Sequence, residues 1–239
     1  MEYVNKLERN GVCLIKNIYR KDEITKIRNM NNNIMTNIEV ILKKNIPKRI
    51  KYVTHFDKEY EKYKNLYQIE NLSILELNKG RYDVYLDNEI NFKINNTLQS
   101  IIDFFFKKNY TIKWGFLASQ SNSDEGHWHR DVINIDGDAD ENGNYNDSNM
   151  VHNMNPFYFT ILIPLVNCNV ENGSTEFIKS SHNKTYSETD GLERIQFDTE
   201  IGDIIIFDGR IFHRGRKNNS NNSRDMIYII VYRNWYNEQ

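Results

Sequence analysis

The sequence predicts an α+β fold, with helices in its first part and an all-β second part. Two patterns support this prediction. Before Asn109, apolar residues recur mainly at the spacing of amphipathic helices, and after Asn109 they alternate with polar residues in short stretches. Short strands separated by polar turns are typical of a β-sandwich or a barrel. No internal repeat of fixed period is visible in the sequence.

The first part is predicted to contain a short strand and at least two helices. Alternation predicts a strand at Val12–Ile18, and helical spacing predicts a helix that opens at Asp22. The stretch Leu66–Leu77 is partly helical by the same criterion, and Lys79-Gly80 resembles a helix stop. A further amphipathic helix is predicted at about Asn91–Lys108.

The second part is predicted to be built from six short strands. Glycines and polar residues punctuate these strands, which are Thr111–Ser119, Phe157–Val166, Ser174–Ile178, Arg194–Phe197, Asp203–Phe207 and Met226–Tyr232. The chain of 239 residues is long enough for one large domain. We expect a single domain, 1–239, with a mostly helical scaffold in residues 1–110 and an all-β core in residues 111–236.

Composition and charge narrow the classes of function. Hydrophobic residues make up 39% of the chain and charged residues 27%, so the chain can bury a core. The formal net charge of -2 provides no basic excess for contacting phosphates, so nucleic acid is not an expected partner. The N-terminus lacks the apolar segment of a signal peptide, and no stretch is apolar enough to cross a membrane, which predicts a cytoplasmic protein without a membrane partner. The sequence does not fix the oligomeric state.

A candidate metal site lies in the segment around His129-Arg130-Asp131. Residues i and i+2 of a strand point to the same side, so His129 and Asp131 can present an imidazole and a carboxylate to one point. His213 follows a strongly apolar strand and can complete the set from a distant part of the chain. His127 is a rival ligand, but its spacing to Asp131 suits a helix better than a strand.

Two histidines and one carboxylate on one face of an iron ion leave about three open positions in an octahedron. Those positions have room for a bidentate 2-oxo acid and for dioxygen. Arg224, at the start of the last predicted strand, can bind the far carboxylate of such an acid with two parallel N–H bonds. An ordinary surface arginine beside Asp225 is the alternative interpretation.

These residues, in this order, resemble the phytanoyl-CoA dioxygenase-like branch of Fe(II)/2-oxoglutarate oxygenases. His129 and Asp131 match the family's HxD, and Arg224 has the family's spacing from His213. The other matching pieces are Ile161–Val166, Glu171-Asn172-Gly173-Ser174, Ser180-Ser181-His182, Gly202-Asp203 before the apolar strand, and the opening residues 7–29. Residues 30–110 match only loosely.

The resemblance implies a double-stranded β-helix, a cupin-like jelly roll, packed against N-terminal helices. It also implies Fe(II) held by His129, Asp131 and His213, with 2-oxoglutarate and O2 as cosubstrates and release of succinate and CO2. Asp131 is present where related halogenases have a small residue, so hydroxylation is favoured. Thr160 and Gln120 are further candidates for cosubstrate contact.

Several aromatic residues are candidates for a substrate pocket. Trp128, Trp114 and Trp235 are candidates to line it, but aromatic residues on sheet faces more often belong to a core. The family places an N-terminal segment near its active site, and this adds Tyr82 and Tyr85.

An acidic segment after the HxD motif suggests a second cation site. Asp138, Asp140, Asn142 and Gly143 match the start of a calcium loop, but Asn149 stands where the bidentate glutamate is needed. A flexible acidic lid over residues 134–150 is the alternative.

Three functions are compatible with these patterns. The first is oxygenation of a small-molecule or lipid-like substrate, the second is hydroxylation of a protein or peptide side chain, and the third is a jelly-roll binding module without catalysis. The complete ligand set and Arg224 argue against the third. A closed apolar pocket favours small molecules, and an open groove favours peptides.

Overall fold

The structure, a computed structural model, describes residues 2–29, 68–69, 72–86, 93–132 and 154–236. The side chains of residues 68–69, 72–76 and 85–86 lie outside this description. The calcium-like segment and acidic lid predicted at 134–150, and much of 48–89, also lie outside the described residues.

Three helical segments lie in the described first part: α1 (Glu2–Asn10), α2 (21–29) and α3 (Asn96–Phe106). The start of α3 is fixed by Asn95, whose side chain accepts the backbone N–H of Thr97. The helix ends at Lys107, which adopts a left-handed conformation with φ 51°. Within the described ranges, no helix is long and apolar enough to span a membrane.

The described strands form two antiparallel sheets. The larger sheet has the order β1-β9-β6-β11-β5-β4-β3-β2. Its strands are β1 (Val12–Ile15), β2 (Gln68–Ile69), β3 (Leu72–Asn78), β4 (Arg81–Leu86), β5 (Tyr110–Ser119), β6 (Tyr158–Pro164), β9 (Ile204–Asp208) and β11 (Arg224–Arg233). The smaller sheet has the order β10-β7-β8, with β10 (His213–Gly215), β7 (Thr175–Ile178) and β8 (Arg194–Gln196).

Two apolar cores flank the larger sheet. Its outer face packs on the helices, with Ile227 and Ile229 of β11 in the same core as Ile101 and Phe105 of α3. Its inner face turns toward the smaller sheet, and the core between them includes Tyr228 and, from β7, Phe177. This arrangement confirms the predicted α+β fold with a jelly-roll core against N-terminal helices.

The predicted helix over Leu66–Leu77 is wrong within the described residues. The chain forms β3 there, and Lys79-Gly80 is the turn of the β3–β4 hairpin rather than a helix stop, with Gly80 at φ +74°. Apolar residues in this stretch fit both the two-residue and the helical period, and pairing of β4 with β5 selects the strand. The division at residue 110 therefore does not separate helix from sheet, because β1–β4 lie before it.

His182 connects α1 to the turn after β7 and is expected to make stability depend on pH. Its Nε2 lies 3.2 Å from the Glu8 carbonyl oxygen, and its Nδ1 is buried without a hydrogen-bond partner. Burial lowers the pKa of the His182 imidazole. The His182 imidazole therefore binds a proton more readily in the unfolded chain than in the folded protein. The free energy of unfolding falls as pH drops below about 6.5.

We accordingly expect the free energy of unfolding to fall less between pH 7.5 and pH 5.5 in His182→Gln than in the wild type. Urea denaturation of metal-free protein at both pH values measures this. The other histidines are common to both proteins and cancel in the comparison. An equal fall in the two proteins would contradict the assignment.

Candidate active site

The candidate metal ligands come together where the HxD segment crosses β10. The backbone N–H groups of His129 and His213 each donate to the other's carbonyl oxygen at 3.0 Å, so the two residues form an antiparallel bridge. Their rings leave the backbone on the same side, with centroids 4.3 Å apart. Asp131 turns to that side too, and its backbone N–H donates to the Gly209 carbonyl at 2.9 Å. One donor atom of each of the three side chains lies within 4.8 Å of the others.

Both imidazoles are oriented in the same way. Nδ1 of His129 lies 2.9 Å from the carbonyl oxygen of His127, and Nδ1 of His213 lies 3.1 Å from that of Ile211. An Nδ1–H donor in each ring leaves Nε2 for a metal. The two Nε2 atoms lie 3.8 and 3.3 Å from Asp131 Oδ1. Ligand atoms on one face of an octahedral ion are about 3 Å apart, so this donor set fits a transition metal after small shifts.

The carboxylate of Asp131 is held in its charged form. Burial alone would raise the pKa of this carboxyl, but the neighbouring imidazoles of His213 and His129, with the hydroxyl of Thr160, outweigh burial and lower that pKa to about 2. Thr160, on β6, donates its hydroxyl to Oδ2 of Asp131. Thr160 was predicted to contact the cosubstrate, and the structure places its hydroxyl on the candidate metal ligand instead.

Arg224 is a buried arginine at the start of β11, on the inner face of the larger sheet. It is 2% exposed, and it donates from Nη2 to the Ser119 hydroxyl at 2.8 Å. Its Nε is buried without a hydrogen-bond partner, and no carboxylate of the described residues forms an ion pair with it. Burial lowers the pKa of the guanidinium. A buried cation without a carboxylate partner is costly, so the site is suited to an anionic ligand.

A second arginine, Arg81, lies beside Arg224 and was missed in the sequence. Arg81 of β4 and Arg224 of β11 both pair with Ser119 of β5, from opposite sides. Arg81 is 8% exposed and donates to the Gly215 carbonyl at 2.7 Å. Burial and the neighbouring Arg224 lower the pKa of its guanidinium to about 9. Two adjacent guanidiniums that form no ion pair with a carboxylate of the described residues favour a ligand with a full negative charge.

A hydrogen-bonded Tyr–Asp pair lies on the inner wall between the arginines and the metal ligands, and it too was missed. Tyr228 of β11 donates to Asp83 of β4 at 2.9 Å, and both residues are buried. The phenol crosses β5 at Gly115, where a β-carbon would overlap the Tyr228 hydroxyl. Glycine is therefore needed at this position.

The tryptophans predicted for the substrate pocket do not lie on the inner wall. Trp128 is on the outer face of the smaller sheet, with the Arg214 guanidinium 4.6 Å from its ring centroid. Trp114 pairs with Ile229 and packs on the helix-side core. Trp235 is 55% exposed, beyond the end of β11. Strand alternation explains the outward orientation of Trp128 and Trp114, because each is next in sequence to an inward-facing residue.

Tyr82 lies elsewhere than predicted, whereas the cosubstrate contact of Gln120 stays a prediction. Tyr82 is buried in the helix-side core, because it neighbours the inward-facing Arg81. Gln120 follows β5, and its backbone N–H donates to the Gly80 carbonyl at 2.8 Å. Tyr85 shares the inner-face register of Arg81, but its side chain lies outside the described residues.

Comparison with known proteins relates most of the chain to one family. The family model described as phytanoyl-CoA dioxygenase (PhyH) matches residues 7–226. AviO1 from Streptomyces viridochromogenes Tue57 superposes with a TM-score of 0.63 at 12% identity, covering 99% of this chain and 96% of that chain. HygX from Streptomyces hygroscopicus, solved with nickel, 2-oxoglutarate and hygromycin B, has a TM-score of 0.63 at 10% identity, covering 99% and 88%. The non-haem α-ketoglutarate-dependent epimerase SnoN from nogalamycin biosynthesis has a TM-score of 0.58 at 12% identity, covering 97% and 84%. At these identities, the solved structures show a shared fold.

Proposed function

This chain belongs to the phytanoyl-CoA dioxygenase family, and we propose that it is a non-haem Fe(II)- and 2-oxoglutarate-dependent oxygenase that hydroxylates a small molecule with release of succinate and CO2. One observation supports this most strongly. The donors of His129, Asp131 and His213 and the two guanidiniums of Arg81 and Arg224 belong to the same inner space between the sheets. A metal site and an anion site that face the same space match a dianionic 2-oxo acid.

Different residues of the chain would bind the metal and orient its ligands. His129, Asp131 and His213 would hold the iron through two Nε2 atoms and one carboxylate oxygen, and they leave one face of the ion open. The iron, when bound, supplies the activation of dioxygen and the oxidative decarboxylation of the 2-oxo acid. Thr160 fixes the second oxygen of Asp131, which keeps the carboxylate in one orientation.

Arg81 and Arg224 would bind the distal carboxylate of 2-oxoglutarate. Arg224 has Nε free of protein partners, and Ser119 orients its guanidinium through Nη2. Arg81 is anchored by Nη1 on Gly215, the residue that ends β10. Since β10 also carries His213, one strand holds both a proposed metal ligand and the carbonyl that anchors Arg81.

A small-molecule substrate is supported by the neighbouring structures. HygX was solved with hygromycin B, and SnoN with Fe3+, α-ketoglutarate and nogalamycin RO. Asp131 provides a carboxylate ligand, which favours hydroxylation over halide transfer. These comparisons and the buried inner face of the larger sheet support a small organic molecule as the substrate of this chain.

The test of the proposed function is succinate formation without added substrate. Succinate reports on iron, 2-oxo acid and dioxygen together, because its formation requires all three. Succinate that requires Fe(II), 2-oxoglutarate and O2 is the expected result. Equal succinate from wild type and Asp131→Ala, or none from iron-loaded wild type given a library of small organic substrates, would overturn the proposal.

Arg81→Met is expected to raise KM for 2-oxoglutarate by about 10–100-fold, because a hydrogen bond to a charged group contributes about 1.5–3 kcal/mol. Steady-state kinetics at varied 2-oxoglutarate measures the change. Arg20→Met, at an exposed arginine of the α2 region, is the control and should leave KM unchanged. An unchanged KM in Arg81→Met would remove Arg81 from the cosubstrate site.

A further inference from the structure

The outer side of the His129–His213 bridge carries two reciprocal cation–aromatic pairs. In an antiparallel ladder, the pairs on either side of this bridge are Trp128 with Arg214 and Arg130 with Phe212. Their side chains leave the backbone opposite to the histidine rings. The aromatic residue is on the HxD segment in the first pair and next to β10 in the second.

In the first pair, Trp128 with Arg214, the arginine also forms an ion pair with a neighbouring strand. The guanidinium carbon of Arg214 lies 4.6 Å from the centroid of the Trp128 ring, well within the range of a cation–π interaction. Nε of Arg214 lies 2.8 Å from Glu176 Oε2 on β7, and both side chains are mostly buried. The Arg214 side chain is thus fixed across β10 and β7 before it contacts Trp128.

The second pair is closer still. The guanidinium carbon of Arg130 lies 4.1 Å from the centroid of the Phe212 ring. Phe212 is 1% exposed, and the ring of Tyr186 meets it edge-on at 5.2 Å. Arg130 also donates to the Lys184 carbonyl. Both pairs therefore stand in well-packed surroundings.

The backbone holds the HxD segment in register over a short stretch. It forms an isolated bridge rather than a strand, and its described backbone bonds to the opposite segment start from Gly126, His129, His213, Asp131 and Val132. A shift by one residue would turn His129 outward and Trp128 inward. Side-chain pairs that span the same two segments oppose such a shift.

We propose that these pairs, Trp128 with Arg214 above all, are positioning elements that hold the two histidine ligands in register for the metal. This inference rests on the proposed function, since it assigns the triad to a metal. Trp128 and Arg214 touch neither metal nor cosubstrate and act through the residues next to them, His129 and His213. The occupant of the site is a first-row divalent ion, and Co(II) is a spectroscopic probe for it.

Anaerobic titration with Fe(II), and with Co(II) followed by its visible spectrum, tests the proposal. Trp128→Ala is expected to weaken metal binding by about 10-fold or more, the cost of losing an outer-shell partner. Trp128→Phe keeps an aromatic face and should restore most of the affinity and the wild-type Co(II) spectrum. Arg194→Ala removes the other cation near the same ring, at 5.4 Å, without touching either ligand segment, and should bind metal as the wild type does.

Arg214→Ala and the double variant Trp128→Ala/Arg214→Ala complete a double-mutant cycle. The proposal predicts that Trp128→Ala in the Arg214→Ala background has little further effect on affinity. Fully additive losses, or wild-type affinity in Trp128→Ala, would overturn it. If Trp128→Ala unfolds at the working temperature, Trp128→Leu and Arg214→Lys are used in its place. A Co(II) spectrum identical to that of the wild type in both variants would also overturn the proposal. Failure of the wild type to bind either metal would instead reject the proposed function.

Discussion

Asp131→Ala is expected to lose Fe(II) binding by more than about 100-fold, which exceeds the usual cost of losing an outer-shell partner. Asp131 supplies the carboxylate of the described donor set, and its oxygen lies 3.3 Å from His213 Nε2 and 3.8 Å from His129 Nε2. Without this carboxylate, only two neutral imidazoles remain as ligands. The site then lacks both the negative charge and the third ligand of the iron. Succinate formation should fall with the metal. Anaerobic titration with Fe(II) measures the loss.

Thr160→Val is the graded control for this prediction. It keeps the shape of the side chain and removes only the hydroxyl that donates to Asp131 Oδ2. The expected loss of Fe(II) affinity is about 10-fold. Similar losses in Asp131→Ala and Thr160→Val, or an Asp131→Ala protein that still binds Fe(II) tightly, would show that Asp131 is not a ligand.

Arg224→Leu is expected to weaken binding of 2-oxoglutarate by about 30-fold or more, since removing one partner of a buried charge pair costs about 2–5 kcal/mol. Fe(II) binding should be unchanged, because Arg224 is not among the metal donors. The same substitution removes a buried cation that has no carboxylate partner in the described residues. The free energy of unfolding of the ligand-free variant should therefore equal or exceed that of the wild type.

Titration of the Fe(II) protein with 2-oxoglutarate and urea denaturation of the ligand-free protein test both parts. Arg224→Lys should lie between the wild type and Arg224→Leu, since an ammonium keeps the charge but loses the planar fork. Arg233→Lys, at the other end of β11, is the matched control. A variant that loses stability and keeps its affinity for 2-oxoglutarate would make Arg224 a structural arginine.

The cluster of His129, Asp131 and His213 was predictable from one local pattern and one fold class. His129 and Asp131 share a side through strand alternation, and His213 follows an apolar strand whose place in a jelly roll is known. Arg224 was predictable from its position at the start of the last strand. Each of these predictions needed one short pattern and a fold class.

Other parts of the site depend on pairing that sequence does not encode locally. Arg81 joins Arg224 only because β4 pairs with β5, and Gly215 leaves space for its guanidinium. Tyr228 reaches Asp83 across a third strand, at a glycine. Aromatic character makes Trp128 a candidate for the pocket, whereas alternation from His129 directs its side chain to the other face.

The metal and cosubstrate assignment is tested most directly by anaerobic titration of the wild-type protein with Fe(II) and then 2-oxoglutarate, followed by visible absorption. A metal-to-ligand charge-transfer band should appear in the wild type, require much more 2-oxoglutarate in Arg224→Leu, and be absent from Asp131→Ala. Iron bound by the wild type without any such band would mean that 2-oxoglutarate does not chelate the metal, and it would contradict the proposed cofactor chemistry.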